Sequence, residues 1–501
     1  MKKEKKAKKG KYSIIPAAYS YLKFGGIGLY VRYARSKVKE VHVKEKKSDY
    51  IWLETPDREL LIVSNLNKEL PFYPTEGTFD EFVPVSLFHP TANDFDFDFC
   101  MVNFTEHAIE KGPRQNPGLR LDRETSHIQI MSDSGGFQLR TGAADYINPI
   151  ELAEWCNDNV NMTMALDIPV LYNDRDLLKR SARIQKRNNE VMLEHAHPEM
   201  ELINIVHGAS WAERKEFLTW VDNEKIDRLA MGSGLDLGVL ANTIGLMDLI
   251  LTSRPFKHYH ILGVSNALRI IPLMRAAHHG MAPLITSDST TYIMRATARM
   301  FLNFETLISK HTTTPIGTQL ASRNVNNRTD VHSLLPCSCA ICSRIRYMDV
   351  FSLFGGPVHA LLSTHNMIKF NSYLQAMQDY MHLPFKELKE ILVAQHKGHL
   401  DLDESLRSVQ FIDEIVDTNI AKAVTKFSRY KARSRYDQFG SNKHFAKNNS
   451  LWGGEYTGTE PAELAGQSKV KQLDRLKQVL SMYENPKSLK RPTTIKKGRG
   501  G

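Results

Sequence analysis

An α/β fold on a parallel sheet is predicted by three observations. From about Asp98 the apolar pattern settles into a strand, turn and helix rhythm that repeats through six units. Such alternation calls for a parallel sheet covered by helices. No glycine-rich dinucleotide fingerprint opens the first unit, which takes away the usual signature of an open nucleotide-binding sheet. Asp133, Asp167, His207, Ser233, Gly263 and Asp288 all fall at the C-terminal ends of their strands. In a barrel those ends converge on one mouth, whereas an open sheet brings only a pair together at its switch point. The expected architecture is therefore a (β/α)8 barrel.

The first strand is read as His127–Asp133, an alternating apolar run that climbs to an acid. Asn148 and Pro149 then open a helix through Trp155, with Asn as N-cap and Pro at the first helical position. The next strand is Asn161–Asp167, followed by a long helix from about Asp176 to His195. Glu201–Gly208, Arg228–Gly234, His258–Gly263 and Ala282–Asp288 are the remaining strands. Trp211–Val221, Leu237–Leu251, Ala267–His279 and Thr290–Phe304 are the helices that follow each of them. Two strands needed to complete eight are sought in Val83–Asn103 and after Phe304. Upstream, Ile51–Phe88 reads as short strands and turns. Downstream, helices are expected at about Asn366–Leu383, Phe385–Gln395 and Glu404–Thr425.

Charge is unevenly distributed over the 501 residues, whose net is +10. Residues 1–50 hold 15 lysines and arginines against 4 acids, and residues 421–501 hold 18 against 6, which leaves the middle acidic by 13. Two basic arms on an acidic body point to a polyanion gripped from outside the catalytic region. Seven lysines crowd residues 1–11. In Lys426–Lys447 basic residues interleave with Phe427, Tyr430, Tyr436, Phe439 and Phe445, a pattern suited to phosphate contact and base stacking. Val470, Leu473, Leu476, Val479, Leu480 and Tyr483 form an apolar stripe on a last helix, read as a docking helix. No apolar run reaches membrane-spanning length and no signal-type core follows the N-terminal lysines, so a cytoplasmic location is expected. The division expected is a basic extension at 1–50, a barrel at 51–310, a zinc-binding subdomain with closing helices at 311–395, and a helical, basic extension at 396–501.

Two stretches carry chemistry. In Asp133-Ser134-Gly135-Gly136-Phe137 a strand ends on a carboxylate and turns sharply through glycine, which leaves the acid at a sheet edge with open space above it. Cys337, Cys339 and Cys342 form a C-x-C-x-x-C cluster, with His359 and His365 downstream. Three thiolates and an imidazole match a closed tetrahedral zinc site, structural because no position is left for water. His365 is the better fourth ligand because it leads directly into an amphipathic helix. Five cysteines do not suggest a disulfide framework, and Cys100 and Cys156 read as core thiols.

Together these residues resemble the tRNA-guanine transglycosylase family, the queuine and archaeosine tRNA-ribosyltransferases. The matching segments are Asp133–Gln138, Ala165–Asp167, Asn204–Gly208, Met231–Leu235, Leu262–Val264, Asp288, and Cys337, Cys339, Cys342 and His365 in that order, within roughly Asp98–Phe370. The resemblance implies a zinc-stabilised barrel that exchanges guanine in a nucleic acid for a 7-deazaguanine base of the preQ0 or preQ1 kind. By motif position Asp288 is then the nucleophile and Asp133 the general acid and base. Asp167 reads the donor edge of guanine, and Phe137 stacks on the base. Ser134, His207, Ser233, Gly234 and Gly263 line the pocket.

The chain departs from the tRNA enzymes at several places. His207 stands where they carry Gln, Leu262 where they carry Met, and Ser289-Thr290-Thr291-Tyr292 where a Cys-Val-Leu-Pro-Thr-Arg run holds the anticodon loop. No RNA-binding module of the PUA type follows the zinc segment. The altered Ser289–Tyr292 loop and the basic arms favour the DNA-guanine transglycosylase branch, which modifies phage or bacterial DNA. A divergent tRNA enzyme and a non-catalytic nucleic-acid-binding barrel are the alternatives. Monomer and homodimer both stay open.

Overall fold

The computed structural model describes residues 10–16, 28–33, 50–54, 58–63, 81–84, 99–105, 129–170, 174–232, 238–264, 266–289, 356–399, 401–427 and 462–495. In chain order the elements begin with β1 (Lys11–Pro16), β2 (Gly28–Tyr33), β3 (Tyr50–Glu54), β4 (Arg58–Val63), β5 (Glu81–Pro84) and β6 (Phe99–Asn103). The βα alternation follows: β7 (Gln129–Asp133), α1 (Gly136–Thr141), β8 (Ala144–Tyr146), α2 (Pro149–Asn159), β9 (Met162–Met164), α3 (Arg175–His195) and β10 (Glu201–Val206). It continues with α4 (Trp211–Val221), β11 (Arg228–Met231), α5 (Val239–Thr252), β12 (His258–Ile261), α6 (Ala267–His278) and β13 (Leu284–Ser289). Last come α7 (Gly356–Asp379), α8 (Phe385–His396), α9 (Leu402–Asp417), α10 (Ile420–Phe427), α11 (Ala462–Glu484) and β14 (Thr494–Ile495).

Polar side chains set the helix starts. The Asn148 side chain accepts from Ile150 N–H with Pro149 next to it, and Asp174 accepts from Asp176 and Leu177 N–H. Ser210 accepts from Glu213 N–H at 3.2 Å while the Glu213 carboxylate takes Ala209 N–H at 2.6 Å, a reciprocal cap that starts α4 at Trp211.

Strands β1, β13, β12, β11, β10, β9, β7 and β6 lie side by side in that order. Every pair is parallel. The sheet is curled. Phe99 of β6 stacks on His258 of β12 across its inside, ring centroids 6.3 Å apart, although the two strands are far apart along the sheet. Residue pairs of the outermost strands, β1 and β6, come within 8 Å Cα to Cα. Alternation along each strand sorts the side chains. Phe99, Met101, Met131, Met162, Met164, Ile203, Ile205 and Ala230 point inward and pack on one another. The residues between them, among them Ile130, Leu202, Leu229, Tyr259 and Ile285, join the larger core beneath the helices.

The strand beside β13 is β1, not one following Phe304 as expected. Lys11 N–H donates to Pro283 O at 2.9 Å, and Ile15 lies opposite Asp288. The helix expected over Glu404–Thr425 is broken into α9 and α10 at Thr418, whose φ of −128° and ψ of −96° leave the helical region; the Asn419 side chain accepts from Lys422 N–H. β2 to β5 form a separate antiparallel sheet, in the order β3-β4-β2-β5. The helix expected at Thr290–Phe304, residues 1–9, the cysteine cluster and the stretch 428–447 lie outside the described residues.

The last helix docks through its stripe. Leu476, Val479, Leu480 and Tyr483 are wholly buried, and α11 packs on α1 and α3. Arg180 clasps both Glu484 oxygens at 2.7 and 2.8 Å, and β14 pairs antiparallel with β8. On the other side α9 packs on α5 and α6, where Arg275 donates to both Asp413 oxygens at 2.7 and 3.0 Å. Among the described residues no helix is long and apolar enough to cross a membrane.

Candidate active site

Parallel pairing brings the C-terminal ends of these strands to one edge of the curled sheet. The inward rows end there on polar groups: Met101 leads to Asn103, Met131 to Asp133, Ile205 to His207, His258 to His260, and Thr286 to Asp288. Each step is two residues, so these polar groups continue rows that face the interior.

Asp133, at the end of β7, accepts from Asn103 Nδ2 at 2.9 Å and, on its other oxygen, from Gly135 N–H at 3.3 Å. The Asn103 amide oxygen accepts from both Thr105 N–H and Thr105 Oγ1, so the amide is held from behind. Gly135 has φ of +85°, and a Cβ there would stand 2.4 Å from Thr105 Cγ2. That left-handed turn ends the strand within two residues of the acid and starts α1. Phe137, in the first turn of α1, is 55% exposed.

Asp167 lies past β9 and is buried. Ser134 Oγ donates to its Oδ1 at 2.8 Å, and a Cβ on Gly136 would lie 2.3 Å from the same oxygen. The bare glycine is what lets the carboxylate come so close. His207 Nε2 stands 2.8 Å from Asp167 Oδ2 but too obliquely for a hydrogen bond, and this buried nitrogen has no other partner. Each carboxylate oxygen has two lone pairs, so Asp167 keeps capacity for donors from a ligand.

Asp288 sits on β13, mostly buried. Gly263 N–H donates to its Oδ1 at 2.5 Å, and His260 Nε2 is 3.4 Å from that oxygen. No described group bonds Oδ2, so the two oxygens are unequal.

The three predicted acids thus head separate clusters: Asp133 with Asn103, Asp167 with Ser134, Gly136 and His207, and Asp288 with Gly263. Ser233, Gly234, Cys337, Cys339 and Cys342 lie outside the described residues. His365 is on α7, 2% exposed, and no group of three metal-type side chains occurs among the described residues. Cys156 is a wholly buried free thiol whose pKa burial pushes up to about 12, which keeps it protonated.

Sequence reasoning missed Asn103, whose only local signal is its place at the end of an apolar run. It also missed His258, His260 and Thr286, which hydrogen bond to one another inside the sheet. The signal for these was His258-Tyr259-His260, two imidazoles two apart on one strand. No protein-family model matches the chain, and no curated protein matches it either.

Proposed function

We propose that this protein is a DNA-guanine transglycosylase, which exchanges guanine in DNA for a 7-deazaguanine base through a covalent bond to Asp288. The observation that carries the reading is the state of Asp288: Oδ1 is engaged by Gly263 N–H while Oδ2 has no described partner, at the same sheet edge as Asp133 and Asp167.

In the first step Asp288 Oδ2 bonds to C1′ as the glycosidic C–N bond breaks, and the bonding pair leaves with guanine. Asp133, protonated at that moment, gives its proton to the departing base. The incoming base then gives a proton to Asp133 and attacks C1′, which expels the Asp288 carboxylate. Two inversions give net retention. Asp167, steadied by Ser134, accepts the N1–H and N2–H of guanine. The exposed ring of Phe137 suits stacking on a base drawn out of the duplex.

The same reading includes closure of the curled sheet as a (β/α)8 barrel, supported by eight parallel strands whose outermost members approach each other. It also includes a structural zinc held by Cys337, Cys339, Cys342 and His365, supported by the burial of the His365 imidazole and the thiolate–imidazole donor set. Bound there, zinc would cross-link the cysteine segment to α7. The basic arms and the altered Ser289–Tyr292 segment favour DNA over tRNA as substrate, with the cytoplasm as the site of action.

The test incubates the full chain with labelled guanine or a 7-deazaguanine base and either duplex DNA or tRNA. Label entering DNA alone supports the proposal. Label entering tRNA alone moves the substrate to RNA, and no label in either refutes the enzyme. Asp288→Ala should abolish the covalent adduct with zinc content unchanged; an adduct that persists would place the nucleophile elsewhere.

A further inference from the structure

A chain of polar side chains runs through the inside of the sheet beneath Asp288. At the N-terminal end of the strands Arg228 pairs with Glu201, and its Nη1 lies 3.3 Å from His258 Nδ1. His258 Nε2 lies 2.6 Å from Thr286 Oγ1, the same oxygen lies 2.8 Å from His260 Nδ1, and His260 Nε2 lies 3.4 Å from Asp288 Oδ1. Both imidazoles are wholly buried. The sheet's inner face around them carries methionines, aliphatic residues and Phe99, which stacks on His258, so polar groups there need partners.

The direction of this chain is determined from its far end. A guanidinium has no acceptor, so Arg228 donates and His258 Nδ1 must accept. Burial, with His260 and Arg228 adding to it, drives the His258 pKa well down and keeps that ring neutral. A neutral ring that accepts at Nδ1 carries its hydrogen at Nε2, which donates to Thr286 Oγ1. The Thr286 hydroxyl has one hydrogen of its own, and its remaining described partner is His260 Nδ1. His260 therefore accepts at Nδ1 and carries its hydrogen at Nε2, toward Asp288. The opposite tautomer would set a nitrogen lone pair against the carboxylate and leave the threonine hydrogen without a described acceptor. Nε2 of His260 is a buried atom with no hydrogen-bond partner, which is costly unless a bond forms during the reaction. Such bonds commonly stand long in the unliganded state and tighten when substrate closes the site.

We propose that His260 is the positioning residue of Asp288: a hydrogen-bond chain from Arg228 through His258 and Thr286 holds it as the Nε2–H tautomer, which donates to Oδ1 and leaves Oδ2 as the attacking oxygen. This role rests on Asp288 being the nucleophile. The tautomer itself does not, and the two are tested separately.

For the tautomer, the full-length protein is labelled with 15N-histidine, and the His260 ring signals are assigned by their loss in His260→Gln. The expected spectrum has a protonated Nε2 and an unprotonated Nδ1 for His260, and in Thr286→Val that preference is lost. A His260 protonated at Nδ1, or one unaffected by Thr286→Val, overturns the proposal. For positioning, covalent adduct formation with guanine-containing duplex DNA is timed. His260→Leu should slow it by about 100-fold, the usual effect of removing one oriented donor. His260→Gln, whose amide hydrogen reaches the place of Nε2–H, should restore most of the rate. Equal loss in both variants overturns the positioning role. If the wild type forms no adduct at all, the transglycosylase reading fails while the tautomer result still decides the chain.

Discussion

Replacing Gly136 by alanine would set a methyl carbon 2.3 Å from Asp167 Oδ1 and 2.5 Å from Asp167 O, where ordinary contact begins near 3.4 Å. The carboxylate would have to retreat by roughly 1 Å, which stretches the 2.8 Å bond from Ser134 Oγ beyond hydrogen-bond range. It cannot retreat freely, because His207 stands 2.8 Å from its other oxygen. Overpacking of this sort costs about 1–3 kcal/mol. Alanine's better helix propensity offsets up to about 1 kcal/mol. A net loss of about 1–2 kcal/mol is expected, read as a lower urea midpoint with unchanged slope. The effect on catalysis should be larger, since a misplacement of about 1 Å in a substrate-orienting group can cost about 100-fold. If the chain exchanges guanine in DNA as proposed, the kcat/KM of that exchange should fall by that order. A Gly136→Ala protein as stable and as active as the wild type would show that Asp167 does not rest on the bare face of Gly136, and would remove it as the guanine reader.

Other consequences can be measured directly. The buried Tyr483 hydroxyl accepts from Ile147 N–H at 3.0 Å and donates to Ile147 O at 2.6 Å, so Tyr483→Phe strands both backbone groups. It should cost about 1–3 kcal/mol in urea unfolding, and no loss would mean that α11 does not brace the link between β8 and α2. Burial, helped by His399, pushes the His396 imidazole down to about 4. Because that folded value lies below the ordinary 6.5, its contribution is complete above about pH 6.5 and is lost as the pH falls toward 4, on the order of 2–3 kcal/mol between pH 7.5 and 4.5. His396→Gln should lose correspondingly less over the same interval, and an equal loss in both proteins would contradict the burial. Metal analysis of the purified chain should find one zinc, absent in Cys339→Ser and His365→Ala, with a lower Tm after chelation; full zinc in His365→Ala would shift the fourth ligand to another residue.

What the sequence determined by itself is what local pattern and local chemistry control. The helix Trp211–Val221 begins and ends where its apolar spacing and the Ser210–Glu213 cap require. Asn148 and Pro149 mark a start that no packing can move. Asp133 lies at a strand end because an alternating run stops there at two glycines, and the stripe from Leu476 to Tyr483 announces a docked face. Strand ends were less legible: Asn161–Asp167 shrinks to Met162–Met164, since pairing with the neighbours and not apolarity decides where a ladder stops.

Only the tertiary structure decided what depends on residues far apart in the chain. β1 pairs with β13 across some 270 residues, and nothing local in Lys11–Pro16 names that partner. The pairing of β14 with β8 and the Asn103–Asp133 bond are of the same kind. So is the row from Arg228 to Asp288, which exists because strand register lines up residues 228, 258, 260, 286 and 288 inside one curled sheet. A histidine on a strand reads the same in sequence whether it faces solvent or a threonine hydroxyl. The curl of the sheet makes that choice, and with it the surroundings of the acid at its edge.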